Sequence, residues 1–173
     1  MRKILDLRTT DISLYYFLAN NLSNDNYTIL SGHSYPMVAS GLYLIDGYPE
    51  DPEIIKLPTV SIEHYFTDEV PFQLGPGRTD ERAFGISVFA RSDGERDDLS
   101  ELIRNYFSSQ HINIYDYNII YSGGNSEILA RARADYITLT AQRFDQPIKA
   151  LKHVMEINFT LTVDICTGYS LIT

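Results

Sequence analysis

Ser92 stands three residues ahead of Glu95, and Leu99, Leu102, Ile103, Tyr106 and Phe107 then recur at i, i+3, i+4, i+7 and i+8. The first pair fits a capping box: the serine hydroxyl accepts from the third amide of a helix and the carboxylate reaches back to the cap's own amide. Asp93, Glu95, Asp97 and Asp98 fall near the positive end of the helix dipole. The apolar residues make a single stripe. The pattern predicts a helix over residues 93–107 with Leu102 and Ile103 in the core, packed on a sheet.

The segments on either side carry the two-residue period of half-buried strands. In "LPTVSIEHYF" (57–66), Val60, Ile62, His64 and Phe66 alternate with Thr59, Ser61, Glu63 and Tyr65. In "RAFGISVFA" (82–90), Phe84, Ile86 and Val88 repeat the phase. Between them lie Pro71 and "GPGRTDE", which predicts two antiparallel strands joined by a long loop from Pro71 to Glu81. "INIYDYNIIY" (112–121) reads as a strand, and in "ADYITLTAQ" Ile137 and Leu139 alternate with Thr138 and Thr140. The most regular alternation is at the end: Met155, Ile157, Phe159, Leu161, Val163 and Ile165 against Glu156, Asn158, Thr160, Thr162 and Asp164. A second helix is expected over 12–22, where Ile12, Tyr15, Tyr16, Leu18, Ala19 and Leu22 follow a helical period and Thr10 or Asp11 offers a cap. Residues 23–56 read as an irregular arm or small hairpin, because Gly32, Pro36, Gly41, Gly47, Pro49 and Pro52 interrupt "YTIL" and "SGLYLID". The expected class is α+β: a mostly antiparallel β-sheet flanked by two α-helices, with a long inter-strand loop. Its 173 residues suit a single domain, with irregular insertions near 23–56 and 122–150.

Apolar residues make up 44% of the chain and charged residues 21%, which excludes wholesale disorder. The net charge of −9 argues against a dedicated nucleic-acid binder, since phosphate contacts need clustered Lys and Arg. It is compatible with DNA passing close by, because an acidic wall repels the backbone. Thirteen tyrosines and no tryptophan suit either half-buried strands or contact surfaces. The one cysteine, Cys166, excludes an internal disulfide framework and lies in an alternating apolar run as a structural thiol. "MRKILDLRTTD" is too short and polar for a signal peptide. No apolar run reaches the about 20 residues needed to span a membrane, so a soluble protein made in the cytoplasm is expected.

Nothing in the sequence demands catalysis. "QLGPGRTDE" lacks the Gly-Lys-Ser/Thr ending of a phosphate loop and precedes a strand rather than a helix. No two of His33, His64, His111 and His153 are four residues apart, so neither a metal nor another cofactor is expected. "DGERDD" (93–98) lacks calcium-loop spacing. The loop of Pro71 to Glu81 is the candidate contact surface, through Pro71, Gln73, Leu74, Arg78 and Arg82: prolines and glycines keep it out of regular structure, and mixed charge suits orienting a protein partner.

The order of a helix, a variable segment, "LPTVSIEHYF", a Pro/Gly loop, "RAFGISVFARSDGERDDLSELIRNYF" and "INIYDYN" resembles the tail-terminator and neck (tail-completion) proteins of long-tailed bacteriophages. The likeness covers residues 57–118 best. It implies a non-enzymatic virion protein, assembled in the host cytoplasm, that forms a ring, usually a hexamer, at the head–tail junction. Such a ring caps the tail tube, meets the tail tube protein on one side and neck or head-completion proteins on the other, and lets DNA through its lumen without sequence-specific binding or membrane contact. Two rivals stand beside it: another phage tail or baseplate adaptor ring, and a small hydrolase or nucleotide-binding enzyme whose site is assembled from scattered residues.

Overall fold

The computed structural model describes residues 7–25, 27–31, 41–47, 49, 56–70, 78–115, 128–142 and 153–165. Strong alternation at the C-terminal end produces β7 (His153–Ile165), in which Val154, Ile157, Phe159, Leu161 and Val163 are buried. β7 pairs antiparallel on one side with β4 (Arg78–Ala90) and on the other with β6 (Ile128–Gln142). β4 pairs antiparallel with β3 (Thr59–Val70), and β6 with β5 (Ile112–Tyr115). Two further strands, β1 (Thr28–Ser31) and β2 (Gly41–Asp46), extend the sheet parallel to β3, giving the order β1-β2-β3-β4-β7-β6-β5. The fold is the α+β class expected, with a mostly antiparallel seven-stranded sheet and two helices.

Both helices feed one core on one face of the sheet. α2 (Asp93–Ser109) lies on β4, β7 and β6 and buries Leu99, Ile103, Tyr106 and Phe107. α1 (Leu7–Asn24) touches β1, β2 and β3 at one end of the sheet and β5 at the other. The sheet therefore wraps until one helix reaches both its margins. Tyr15 Oη donates to the Leu44 carbonyl of β2 at 3.5 Å, and the Tyr115 amide of β5 donates to Ser13 Oγ at 3.0 Å. A chain of ring contacts ties the layers together. Phe17 meets Phe107 at 5.3 Å between centroids, Phe107 meets Phe159 at 4.6 Å, Phe159 meets Phe84 at 5.8 Å, and Phe84 meets His64 at 5.0 Å.

Several elements differ from the sequence expectation, each for a local reason. α1 starts at Leu7, so Thr10 and Asp11 lie inside it rather than capping it. Its polar first turns go inward because they are bonded: Ser13 Oγ donates to the Thr9 carbonyl at 2.7 Å, and Thr10 Oγ1 accepts from Arg82. The buried row is Thr10, Leu14, Leu18 and Leu22, whereas Tyr16 is 41% exposed. In α2 the Ser92 hydroxyl accepts from the Glu95 amide at 3.2 Å as expected, but the Glu95 carboxylate accepts from the amide of Arg91 at 2.7 Å, one residue before the cap. Ile103 is fully buried, while Leu102 is only partly buried against the core. Residues 28–31 and 41–46 form no hairpin: they pair in parallel, which requires a crossover, and Leu42, Tyr43 and Leu44 are buried. Residues 128–142 are an integral strand, not part of an irregular insertion. The proposed strand at 112–121 is described only to Tyr115, and Cys166 and His33 lie outside the described residues.

Candidate assembly surface

The face of the sheet away from the helices holds the site. Strand alternation sends Phe84, Ile86 and Val88 of β4 and Ile157, Phe159 and Leu161 of β7 into the core. It sends Ala83, Gly85, Asn158, Thr160 and Thr162 the other way, in register rows that run from β3 across to β6. These outward residues are small or polar, so they leave a shallow surface rather than a second core. Only at one end is there a small apolar cluster on this side, where Phe89 and Val154 pack with Leu57. Arg91 holds that corner by donating from Nε and Nη2 to the Leu57 carbonyl at 3.1 and 2.8 Å.

Two bulges shape the surface. In β3 the register slips between His64 and Phe66, so Tyr65 has no opposite residue on β4. An extra residue re-aims the side chains around it. Tyr65 crosses over β4 and donates from its hydroxyl to Glu156 Oε1 on β7 at 2.8 Å. Gly85 makes this possible: a Cβ there would overlap the Tyr65 hydroxyl and ring. Phe66, in the row of Ala83, is 58% exposed. In β6 the register slips between Asp135 and Thr138, and Tyr136 takes φ 55° and is 83% exposed. That left-handed backbone is unfavourable for a residue with a side chain and marks a position where function is worth looking for. The charged groups nearby are ordered: Asp135 Oδ2 accepts from Arg133 Nε at 2.9 Å and from Thr162 Oγ1 at 2.8 Å.

The arrangement offers aromatic area with ordered polar groups beside it, the composition of a protein contact surface. Among the described residues, no three His, Cys, Asp or Glu side chains converge to hold a metal ion. His64, on the core side of β3, is held below the usual imidazole range chiefly by burial and secondly by the charge of Arg82. His153 pairs with Asp93 at the start of α2, with Nδ1 to Oδ1 at 3.0 Å, and this bond is the first cause of the lowered pKa of Asp93. No helix among the described residues is long and apolar enough to cross a membrane.

The residues singled out from sequence divide unevenly. Pro71, Gln73 and Leu74 lie outside the described residues, and Arg78 is the first residue of β4. Arg82 is corrected: it belongs to the sheet rather than to the loop, is 2% exposed and hydrogen-bonds Thr10 of α1. It is in phase with Phe84 and Ile86, so a strand beginning at Arg78 must turn it inward. It is therefore no partner contact. The inter-strand connection shortens accordingly, since residues 78–81 are strand. Sequence reading missed Tyr65, Phe66 and Tyr136. Their signal was the pair of adjacent aromatics in "HYF": strict alternation cannot place both on the outer face, whereas a bulge can.

No family model and no curated protein sequence matches the chain.

Proposed function

We propose that the chain is a structural, non-enzymatic ring protein of a phage head–tail junction. In this reading it caps the tail tube, joins it to head-completion proteins and lets DNA pass through the lumen. The observation that carries the proposal is the unit β3–β4–α2–β5. The residues of the family resemblance, 57–118, fold as a long hairpin followed by a helix capped by Ser92 and a short strand. That hairpin carries an outer face with exposed Tyr65 and Phe66. A helix-covered inner face gives each subunit its own core, and an outer face with aromatic anchors suits repeated contact with other proteins. The net charge of −9 suits a lumen that DNA must pass without sticking.

Mass measurement of the purified protein, free and after mixing with tail tubes, tests the proposal. A ring in either condition, seated at the tube end in negative-stain images, is the expected result. A monomer in both conditions overturns it.

A further inference from the structure

The sheet has two open edges, and they are complementary. β2 covers β3 only over Thr59–Ile62. It ends at Asp46, where Gly47, at φ 83°, turns the chain away while its amide donates to the Ile62 carbonyl at 2.7 Å. At the other margin β5 covers β6 only as far as Ala132. It cannot continue, because the chain before Ile112 comes directly from the end of α2 at Ser109. Among the described residues, no strand pairs with Glu63–Val70 on the β2 side of β3 or with Arg133–Gln142 on the β5 side of β6. Long open edges template strand addition, and natural proteins guard them with lysine or proline. The run from Ile137 to Gln142, "ITLTAQ", carries neither.

We infer that these edges join copies of the chain head to tail, with the β6 edge of one copy pairing antiparallel with the β3 edge of the next in one continuous sheet. Strand direction permits it. β3, β4, β7 and β6 are each antiparallel to the next, so β6 runs opposite to β3. Rotation about an axis along the strands keeps every direction, so each β6 meets the next β3 antiparallel and the contact closes as a ring. The charges agree as well. The open run of β3 contains Glu63, Asp68 and Glu69 and no Lys or Arg, while the β6 edge opens with Arg133, 66% exposed at its side chain. One row of the sheet runs Asp68, Glu81, Thr162, Arg133, acidic at the β3 edge and basic at the β6 edge. The same polarity on every copy attracts unlike edges and repels like ones. The exposed aromatics flank the seam from both sides, Phe66 on β3 and Tyr136 on β6.

The inference takes the ring of the proposed function as its frame and adds the interface. Phe66→Cys and Tyr136→Cys are placed, singly and together, in a Cys166→Ser background. Both positions are exposed, so circular dichroism should show the fold intact. A short bismaleimide is then added to the protein, free and on tail tubes. The double variant should give a ladder of covalent multimers, each single variant no product alone, and an equimolar mixture of the two singles a dimer. A covalent dimer from Tyr136→Cys alone means that like edges pair, and overturns the inference. Assembly by mass without the ladder overturns the interface and leaves the ring standing. Absence of both ladder and assembly overturns both. In an independent check, Arg133→Glu and Asp68→Lys should each abolish self-association, and mixing the two should restore it. Unaltered assembly of either single variant counts against the paired edges.

Discussion

Tyr65, Gly85 and Glu156 act as one unit on the outer face. The tyrosine ring occupies the space a side chain would fill at Gly85, and its hydroxyl ends on Glu156. Gly85→Ala should leave the fold intact, because the obstructing group is the far end of a side chain that can swing outward. It should, however, break the bond to Glu156. Tyr65→Phe in the native background should then cost about 0.5–1.5 kcal/mol by chemical denaturation, and close to nothing in the Gly85→Ala background. Equal costs in both backgrounds would show that the two residues are not coupled. His64 gives a pH prediction of known sign. Its folded pKa is depressed, so the unfolded chain binds the proton more readily. Its contribution to stability is complete above the unfolded value of about 6.5 and is lost as pH falls through that value toward the depressed folded one. His64→Gln should flatten the acid side of the stability profile between neutral pH and about pH 5. An unchanged slope there would assign the acid sensitivity to other groups, Asp93 with its lowered pKa among them.

At the level of elements, α2 was the most legible part of the chain, and its details show why legibility stops where it does. The stripe from Leu99 to Phe107 fixed the helix and its buried side, since only a helix aligns those five residues. Periodicity places residues by angle alone. It cannot say that Leu102 sits at the margin while Ile103 is fully buried, because that depends on which strands lie beneath. Ile103→Ala should therefore cost about 2–5 kcal/mol, Leu102→Ala distinctly less, and Ser92→Ala roughly 0.5–2 kcal/mol through the lost cap. Urea denaturation of the three variants checks the order; Leu102→Ala as costly as Ile103→Ala would mean the helix is rotated on the sheet. β3 and β6 were recognised from alternation, but their bulges at Tyr65 and Tyr136 were not. A bulge breaks the period locally and is specified by pairing with a distant strand, which no short window of sequence contains. The same limit applied to Arg82: its charge suggested surface, whereas its phase in β4 and its bond to Thr10, seventy-two positions away, place it inside.

On the scale of the whole molecule, α1 is what a linear reading could least anticipate. It joins β2 and β5, which lie near opposite margins of the sheet, through Tyr15 and Ser13. Its far end is tied to α2, with Tyr106 Oη donating to the Asp25 carboxylate and Gln110 Nε2 to Asn21 Oδ1 at 3.1 Å. Burial and then the bond to Asp25 push the Tyr106 hydroxyl well above the usual tyrosine range. Such links make the helices and both ends of the sheet one cooperative body, while the connection between β3 and β4, residues 71–77, joins strands already fixed by a regular ladder from Thr59↔Phe89 to Val70↔Thr79. Loop length enters stability only through the slowly varying entropy of closure, with each doubling costing about 0.6 kcal/mol. Replacing residues 71–77 by a short Asn-Gly turn should therefore leave the thermal midpoint within a few degrees of the native protein. If the proposed function holds and this connection reaches a neighbouring ring, the same replacement should abolish the joining of heads to tails in an infected cell. It should leave self-association untouched, because the edges inferred to pair lie on Glu63–Val70 and Arg133–Gln142, outside the replaced segment. Normal infectious particles from the loop-replaced protein would refute the docking role of this connection, and a lost ring would show that it takes part in self-association instead.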